Sequence, residues 1–354
     1  MNKHSRIWNV SWLLVIGLSF GTFVSSALSA SKLPPAIEKL LPQAKAEGEV
    51  SLFTGSVKVA PQDAERFSRA FGNYYGFPIK VEMASLGSHP QSVQRLMQEA
   101  KAGVKPVVDV FNTAIQFLHV LQQAGLVEPV QWNDLGVSEK DILVRLFAID
   151  FQTLVRGVVY NSKSVSKAEA PRKFEDLLDQ KWKGRIVAPA LPTAFPYMAL
   201  VIGEEPALNL TKQLIERQKL AFTPTITDVT TRVATGEFLI GYGYTAGNEK
   251  KHGAPVDNAP MKVGAFRQAA ALLKNAKHPA AAKLLVHFIS TTPEGKKMIY
   301  EATNWAKYDN PGTEAYEIAQ GGGLIFSKDI ADEIEWESKE VPRMGKRFQQ
   351  LLGL

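Results

Sequence analysis

Five short stretches gather the groups that could hold a solute. They are Thr54-Gly55-Ser56, the run 85–88 with Ser85, Gly87 and Ser88, the pair Asn112-Thr113, the run 191–195 with Thr193 and Ala194, and the run 227–231 with Thr227 and Thr230. Hydroxyl, amide and glycine groups dominate them. Backbone N–H groups at a helix start, with Ser or Thr beside them, are donors to an oxyanion. Arg232 or Arg267 could add charge-assisted bonds. This chemistry suits capture of a small organic anion: a carboxylate, phosphonate or phosphate ester. The competing reading of each hydroxyl alone is a helix cap. Tyr242 and Tyr244, with Phe195, Tyr197 and Trp305, could form an aromatic wall that stacks on a ring or meets a cation, or they could simply pack in the core. A cationic ligand would want facing carboxylates, and Asp228 is nearly the only one in these stretches.

Enzymatic chemistry has no comparable support. Outside the amino-terminal apolar run there is no nucleophile elbow, and the chain has no His-Glu-x-x-His, no phosphate-binding Gly-x-x-x-x-Gly-Lys loop and no Gly-x-Gly-x-x-Gly. Gly241 and Gly243 lack the third glycine at the right spacing, and Gly321-Gly322-Gly323 has no strand-to-helix context. His89, His119, His252, His278 and His287 are scattered. The chain has no cysteine, so thiolate metal sites, a cysteine nucleophile, disulfides and a lipidated cysteine are excluded. No catalytic residue, no metal and no cofactor are expected.

The elements that position these stretches alternate. Val50 to Phe53 reads as a strand that ends at Thr54, and a helix follows from Pro61. Residues 79–83 alternate as a strand does and end at the second turn. Ser88 with Gln91 forms a capping box, and Val93, Leu96, Met97 and Ala100 give one apolar helix face. Residues 107–111 make a third strand, with Asn112-Thr113 as its turn and Ile115, Leu118 and Leu121 facing inward on the next helix. Repeated strand–turn–helix units predict a mostly parallel α/β sheet, with ligands beyond the carboxyl ends of its strands. The stretch 152–161, rich in β-branched residues, reads as one buried strand that crosses between two such sets. Residues 238–242 form a buried strand ending at Gly243-Tyr244-Thr245, residues 261–273 are strand-like, and the charged tail 330–351 is expected to be helical and to pack on the outside.

The amino end has the layout of a secretory signal. Lys3 and Arg6 precede an apolar run from Trp12 to Val24, and small residues cluster at Ser25-Ser26-Ala27 and Ser29-Ala30. The run is short against the roughly 20 apolar residues of a membrane span. Of the formal charge of +6, Lys3 and Arg6 supply two. So modest a balance, without a basic run interleaved with aromatics, gives no case for nucleic acid.

Residues 171–186, with Phe174, Leu177, Leu178, Trp182, Gly184 and Arg185, resemble a signature of bacterial extracellular solute-binding proteins, the periplasmic receptors of ATP-driven (ABC) importers. Residues 45–50, 155–162 and 275–283 resemble that family's entry into its first strand, its crossing strand and its return helix. The resemblance is nearest to the branch with ferric-ion, phosphonate, thiamine and polyamine receptors. It implies an α/β, two-lobe periplasmic-binding-protein fold (type II-like), closing on its ligand like a hinge. The expected division is a signal peptide at 1–30, a discontinuous first lobe at 31–152 and 266–354, and a second lobe at 153–265. The expected function is a periplasmic receptor, secreted with its signal cleaved, monomeric, handing a small anion to the permease subunits of an importer in the inner membrane. The alternative is a ferric-ion receptor. The family's iron receptors use adjacent tyrosines with a histidine or carboxylate. Here Tyr242 and Tyr244 are separated by Gly243, and Thr54-Gly55-Ser56 supplies no such ligand.

Overall fold

The computed structural model describes residues 33–55 and 57–353. The signal-like segment and Ser56 therefore lie outside the described residues. Twelve strands are found among the described residues: β1 Glu49–Phe53, β2 Lys80–Ala84, β3 Val110–Ala114, β4 Ile142–Val144, β5 Ala148–Arg156, β6 Val158–Asn161, β7 Ile186–Pro189, β8 Ala221–Thr223, β9 Ile240–Tyr242, β10 Val256–Asn258, β11 Val263–Leu272 and β12 Leu324–Ile325. They form two sheets. The first runs β2-β1-β3-β11-β5-β4, with β12 added to β11, and the second runs β10-β6-β9-β7-β8. In the first sheet β1 is parallel to β2 and β3, while β11 is antiparallel to β3 and β5. In the second, β7 is parallel to β8 and β9, and β6 and β10 are antiparallel additions. The fold is thus the expected mixed α/β architecture in two lobes.

The expected crossing strand is two strands. β5 ends at Arg156 in the first sheet, and β6 begins at Val158 in the second. Gly157 sits between them because the chain passes close to the β9 loop there: a Cβ on Gly157 would stand 3.2 Å from the Tyr244 carbonyl oxygen. The second crossing runs from β10 to β11. Here Gly264 admits the Tyr197 backbone, whose oxygen would lie 2.4 Å from any Cβ at that position.

Each lobe has its own apolar core. In the first, Phe53, Leu96, Phe111, Leu118 and Leu121 pack around Ala148, Ala269 and Ala271. In the second, Phe174, Trp182, Ile186, Phe195, Met198 and Tyr242 pack together. Helix starts match the sequence signals. Pro61 opens the helix Pro61–Tyr75, and the Ser88–Gln91 box opens His89–Lys101.

Two expectations need correction. Asn112 and Thr113 are not a turn; they lie inside β3, and the helix Ile115–Gln123 begins directly after it. Just before the strand, the Asp109 carboxylate accepts the Ser51 N–H, and the Asp109 N–H donates to the Ser51 carbonyl at 3.2 Å. The tail is not merely laid on the outside. Its last helix, Val341–Leu352, buries Val341, Met344 and Phe348, and Phe348 stacks on Phe195 of the second lobe at 5.5 Å between centroids. No helix among the described residues is long and apolar enough to cross a membrane.

Candidate functional site

The carboxyl ends of β1, β2 and β3 bring Thr54, Gly55, Ser85 and Thr113 close together, with the His89 ring between Gly55 and Thr113. Thr54 is fully buried and its hydroxyl donates to the Val57 carbonyl at 2.9 Å. Ser85 donates to the Gly55 carbonyl at 2.9 Å. His89 Nδ1 meets the Thr113 hydroxyl at 2.9 Å, and its ring stands edge-on to Phe53. Gly55 has φ 61°, and a Cβ there would be 3.1 Å from His89 Nε2, so backbone and ring are in close approach. Burial holds the His89 imidazole down at about 4, so at neutral pH it is uncharged. Beside this group, Asn112 is 1% exposed and neither atom of its side-chain amide has a partner among the described residues. Ser88 is occupied as a cap, its hydroxyl and N–H both directed at Gln91 Oε1. Gly87, at φ 91°, shapes the turn before it.

In the second lobe the expected residues divide. Ala194 is buried, and its carbonyl accepts the Tyr242 hydroxyl at 3.0 Å. Tyr242 is 1% exposed and lies against Phe174 and Phe195, so it is a core residue. Gly243, at φ 103°, interrupts the strand alternation that would have turned both tyrosines the same way. Tyr244 stays half-buried, and burial pushes its hydroxyl up. Thr193 is exposed and lies against Gly345 of the tail. Thr230 is buried, and its hydroxyl reaches the Thr245 carbonyl only at 3.5 Å. Thr227 is exposed within the helix Ile226–Ala234, whose cap is Thr225.

The two arginines proposed to meet an anion are already engaged. Arg232 pairs with Glu237 at 2.8 Å on the surface. Arg267 pairs with Glu333, lies 3.8 Å from Asp150 and stacks on Phe326. The sequence reading missed a third. Arg156 ends β5 at the first crossing, its guanidinium 5.3 Å from the Phe266 ring centroid and 5.5 Å from that of Tyr197. Phe266 belongs to β11 of the first sheet, and Tyr197 to the helix Pro196–Ile202 flanking the second. The Arg156 Nε is buried without a hydrogen-bond partner, and no carboxylate pairs with it among the described residues. The available signal was its place: a lone arginine at the end of a β-branched run, directly before a glycine.

Next to Arg156 lies Glu337 of the tail. The Tyr197 hydroxyl donates to its two oxygens at 2.8 and 2.9 Å, and Gln116 Nε2 reaches it at 3.4 Å. Burial pushes the Glu337 carboxyl up to about 7, against the opposing pull of Tyr197 and Arg156. No group of three or more His, Asp or Glu side chains among the described residues could hold a metal ion. A cavity of about 640 Å³ between Leu96, Val104, Lys105 and Leu273 opens at the other end of the first sheet, away from these loops.

A sequence model described as bacterial extracellular solute-binding protein matches residues 105–316. No curated protein matches this chain. Among solved structures, the chain is similar to iron-bound HitA from Pseudomonas aeruginosa, with 18% identity over 85% of this chain and 99% of that one and a TM-score of 0.61. It is similar to the periplasmic binding protein AfuA from Actinobacillus pleuropneumoniae with fructose-6-phosphate bound, with 19% identity over 87% and 99% of the chains and a TM-score of 0.61. It is also similar to the spermidine/putrescine ABC transporter substrate-binding protein PotD from Streptococcus pneumoniae, with 13% identity over 86% and 99% and a TM-score of 0.63. At these identities the likeness shows the fold.

Proposed function

We propose that this chain, which belongs to the bacterial extracellular solute-binding proteins, captures a small organic anion between its lobes for an ABC importer. The observation that carries the anion reading is Arg156. A guanidinium that pairs with no carboxylate, held between rings from both lobes, is a fixed positive charge at the place where the lobes meet. Carboxylate and phosphate oxygens are its natural partners. The neutral His89 group and the free amide of Asn112 supply hydroxyl and amide bonds for the rest of the ligand. Of the ligands named for the similar structures, fructose-6-phosphate is a phosphate ester and suits this chemistry. The iron reading has less support, because Tyr242 is spent in the core.

The remaining assignments belong to the same proposal. Thr54, Gly55, Ser85, Asn112 and Thr113 serve the first lobe's wall and Tyr244 the second's. The lobes divide at Gly157 and within 259–262, beside the 152/153 and 265/266 boundaries expected from sequence. The protein works as a periplasmic monomer, without catalysis, and passes its solute to the permease subunits.

A melting-shift screen of organic acids, phosphonates, phosphate esters, polyamines and Fe(III) tests the reading. A ligand that binds only the folded protein stabilises it by about 4 kcal/mol at a thousandfold excess over Kd. The expected hits are anions, and Arg156→Gln is expected to lose at least tenfold in affinity for them. Hits confined to polyamines or Fe(III), or an Arg156→Gln protein that binds the anion unchanged, would remove the proposal. Consumption of a compound during the screen would remove the binding-protein role.

A further inference from the structure

One carboxyl group of the tail, that of Glu337, is hydrogen-bonded to both lobes. The tail helix Ile330–Glu335 packs against Ile115–Gln123 of the first lobe, whereas Val341–Leu352 packs on Pro192–Ala194, Pro196–Ile202 and Glu204–Glu216 of the second. Between the two, Trp336–Glu340 is a π-helical stretch, a departure from regular helix that is common at functional sites. Glu337 lies in it, 6% exposed. Tyr197, from the second lobe, donates to its carboxyl at 2.8 and 2.9 Å, and Gln116, from the first, at 3.4 Å. The charged and titratable groups that face it are Arg156 at the end of β5, Tyr197, and Glu333 one turn earlier in the tail. Glu333 is itself paired with Arg267 of β11.

We propose that Glu337 is a proton-linked latch between the lobes, which close on its protonated form and part more readily once it is ionised. The inference rests on the two-lobed binding-protein reading for the existence of an opening motion. The bond to Gln116 is the long one and breaks first as the first lobe moves away. Breaking it lets water reach a carboxyl that closure had buried. Burial raises the group to about 7 in the structure described, whereas in water a glutamate titrates near 4.3. The state with the higher value binds the proton more tightly, so falling pH draws the population towards it. Closure therefore takes up a proton, and rising pH through the same window favours opening.

The absence of cysteine permits a clean test on the full mature chain. Spin labels at Lys101→Cys and Lys212→Cys, exposed positions on helices of the first and second lobes, report the distance between lobes without added solute. The closed share is expected to be several-fold larger at about pH 5.5 than at about pH 8.5, level above about 7 and rising as pH falls below it. Glu337→Gln is expected to hold the low-pH distribution throughout. Tyr197→Phe keeps the ring against Phe266 but removes the donor that favours ionised Glu337, so its transition is expected to move to higher pH. A distance distribution indifferent to pH overturns the proposal, as does a Glu337→Gln protein that still follows pH or a Tyr197→Phe transition that stays in place. Melting curves establish that each variant is folded. Because no solute is needed, failure here is distinct from failure of the anion reading, which the ligand screen decides.

Discussion

Single side chains in this molecule divide into those that hold the lobe and those left free to meet something else. Asp109 is of the first kind. Its carboxylate accepts from Ser51 N–H and Oγ at 2.8 and 2.7 Å and from His278 N–H and Nδ1 at 2.9 and 3.0 Å. Burial would raise its pKa, but the bonds from His278 and Ser51 outweigh that and hold it below the usual aspartate value. A depressed carboxylate contributes stability above its unfolded value that is lost as pH falls through the folded one. Asp109→Asn places a donor among donors, and urea unfolding at neutral pH is expected to show a loss of about 1–3 kcal/mol. The steepest part of the wild-type acid decline, below about pH 4, should be shallower in the variant. Arg156 is of the second kind, which is why its substitution is the one chosen to test ligand capture.

At the scale of elements, the same hydroxyls can be caps or ligands, and geometry separates the two. Ser88 closes the box on Gln91 at the start of His89–Lys101. Ser88→Ala should cost about 1 kcal/mol in denaturant unfolding and leave any ligand-induced melting shift unchanged. A lost shift would return Ser88 to the binding wall. The close pass of β11 beneath the helix Pro196–Ile202 depends on Gly264. With the Tyr197 carbonyl oxygen 2.4 Å and Tyr197 Cβ 2.9 Å from any added methyl, Gly264→Ala forces backbone apart. Its expected cost is about 1–3 kcal/mol, read as a lowered Tm, together with a longer spin-label distance between the lobes. An unchanged distance would mean that this contact does not set the lobe spacing. The motifs of these elements were legible beforehand: Pro61, the Ser88 box, the helix faces and the strand 50–53 are local, and local propensity decided them. The break at Gly157 was not legible. A glycine between two β-branched runs is compatible with one strand, and only the approach of the Tyr244 carbonyl requires the interruption.

For the molecule as a whole, buried carboxyls set how stability responds to pH. Glu337 and Asp150 are both pushed up to about 7, each chiefly by burial. A carboxyl raised in the folded state is bound more tightly to its proton there than in the unfolded chain. Stability therefore falls as pH rises from the unfolded value, near 4, to the folded value, and levels off above it. Thermal melts between about pH 5 and 8 should show this decline, and Glu337→Gln should remove its share. A profile unaltered by Glu337→Gln would mean that the group titrates as an exposed carboxylate.

Amino-acid order by itself determined the class of this protein: strand–turn–helix alternation, the lack of cysteine and of catalytic motifs, and the stretches that resemble solute-binding proteins. Those properties follow from neighbours in the chain and from side-chain chemistry, which are present before folding. Tertiary structure alone decided which arginine stays free, because Arg267 is claimed by Glu333 and Arg232 by Glu237. Of these partners only Glu237 is near in sequence. It alone also decided that Tyr242 belongs to the core and that the tail places Glu337 between Tyr197 and Gln116. Each of those outcomes depends on burial and on contacts between residues far apart along the chain, and neither quantity exists until the two lobes have packed.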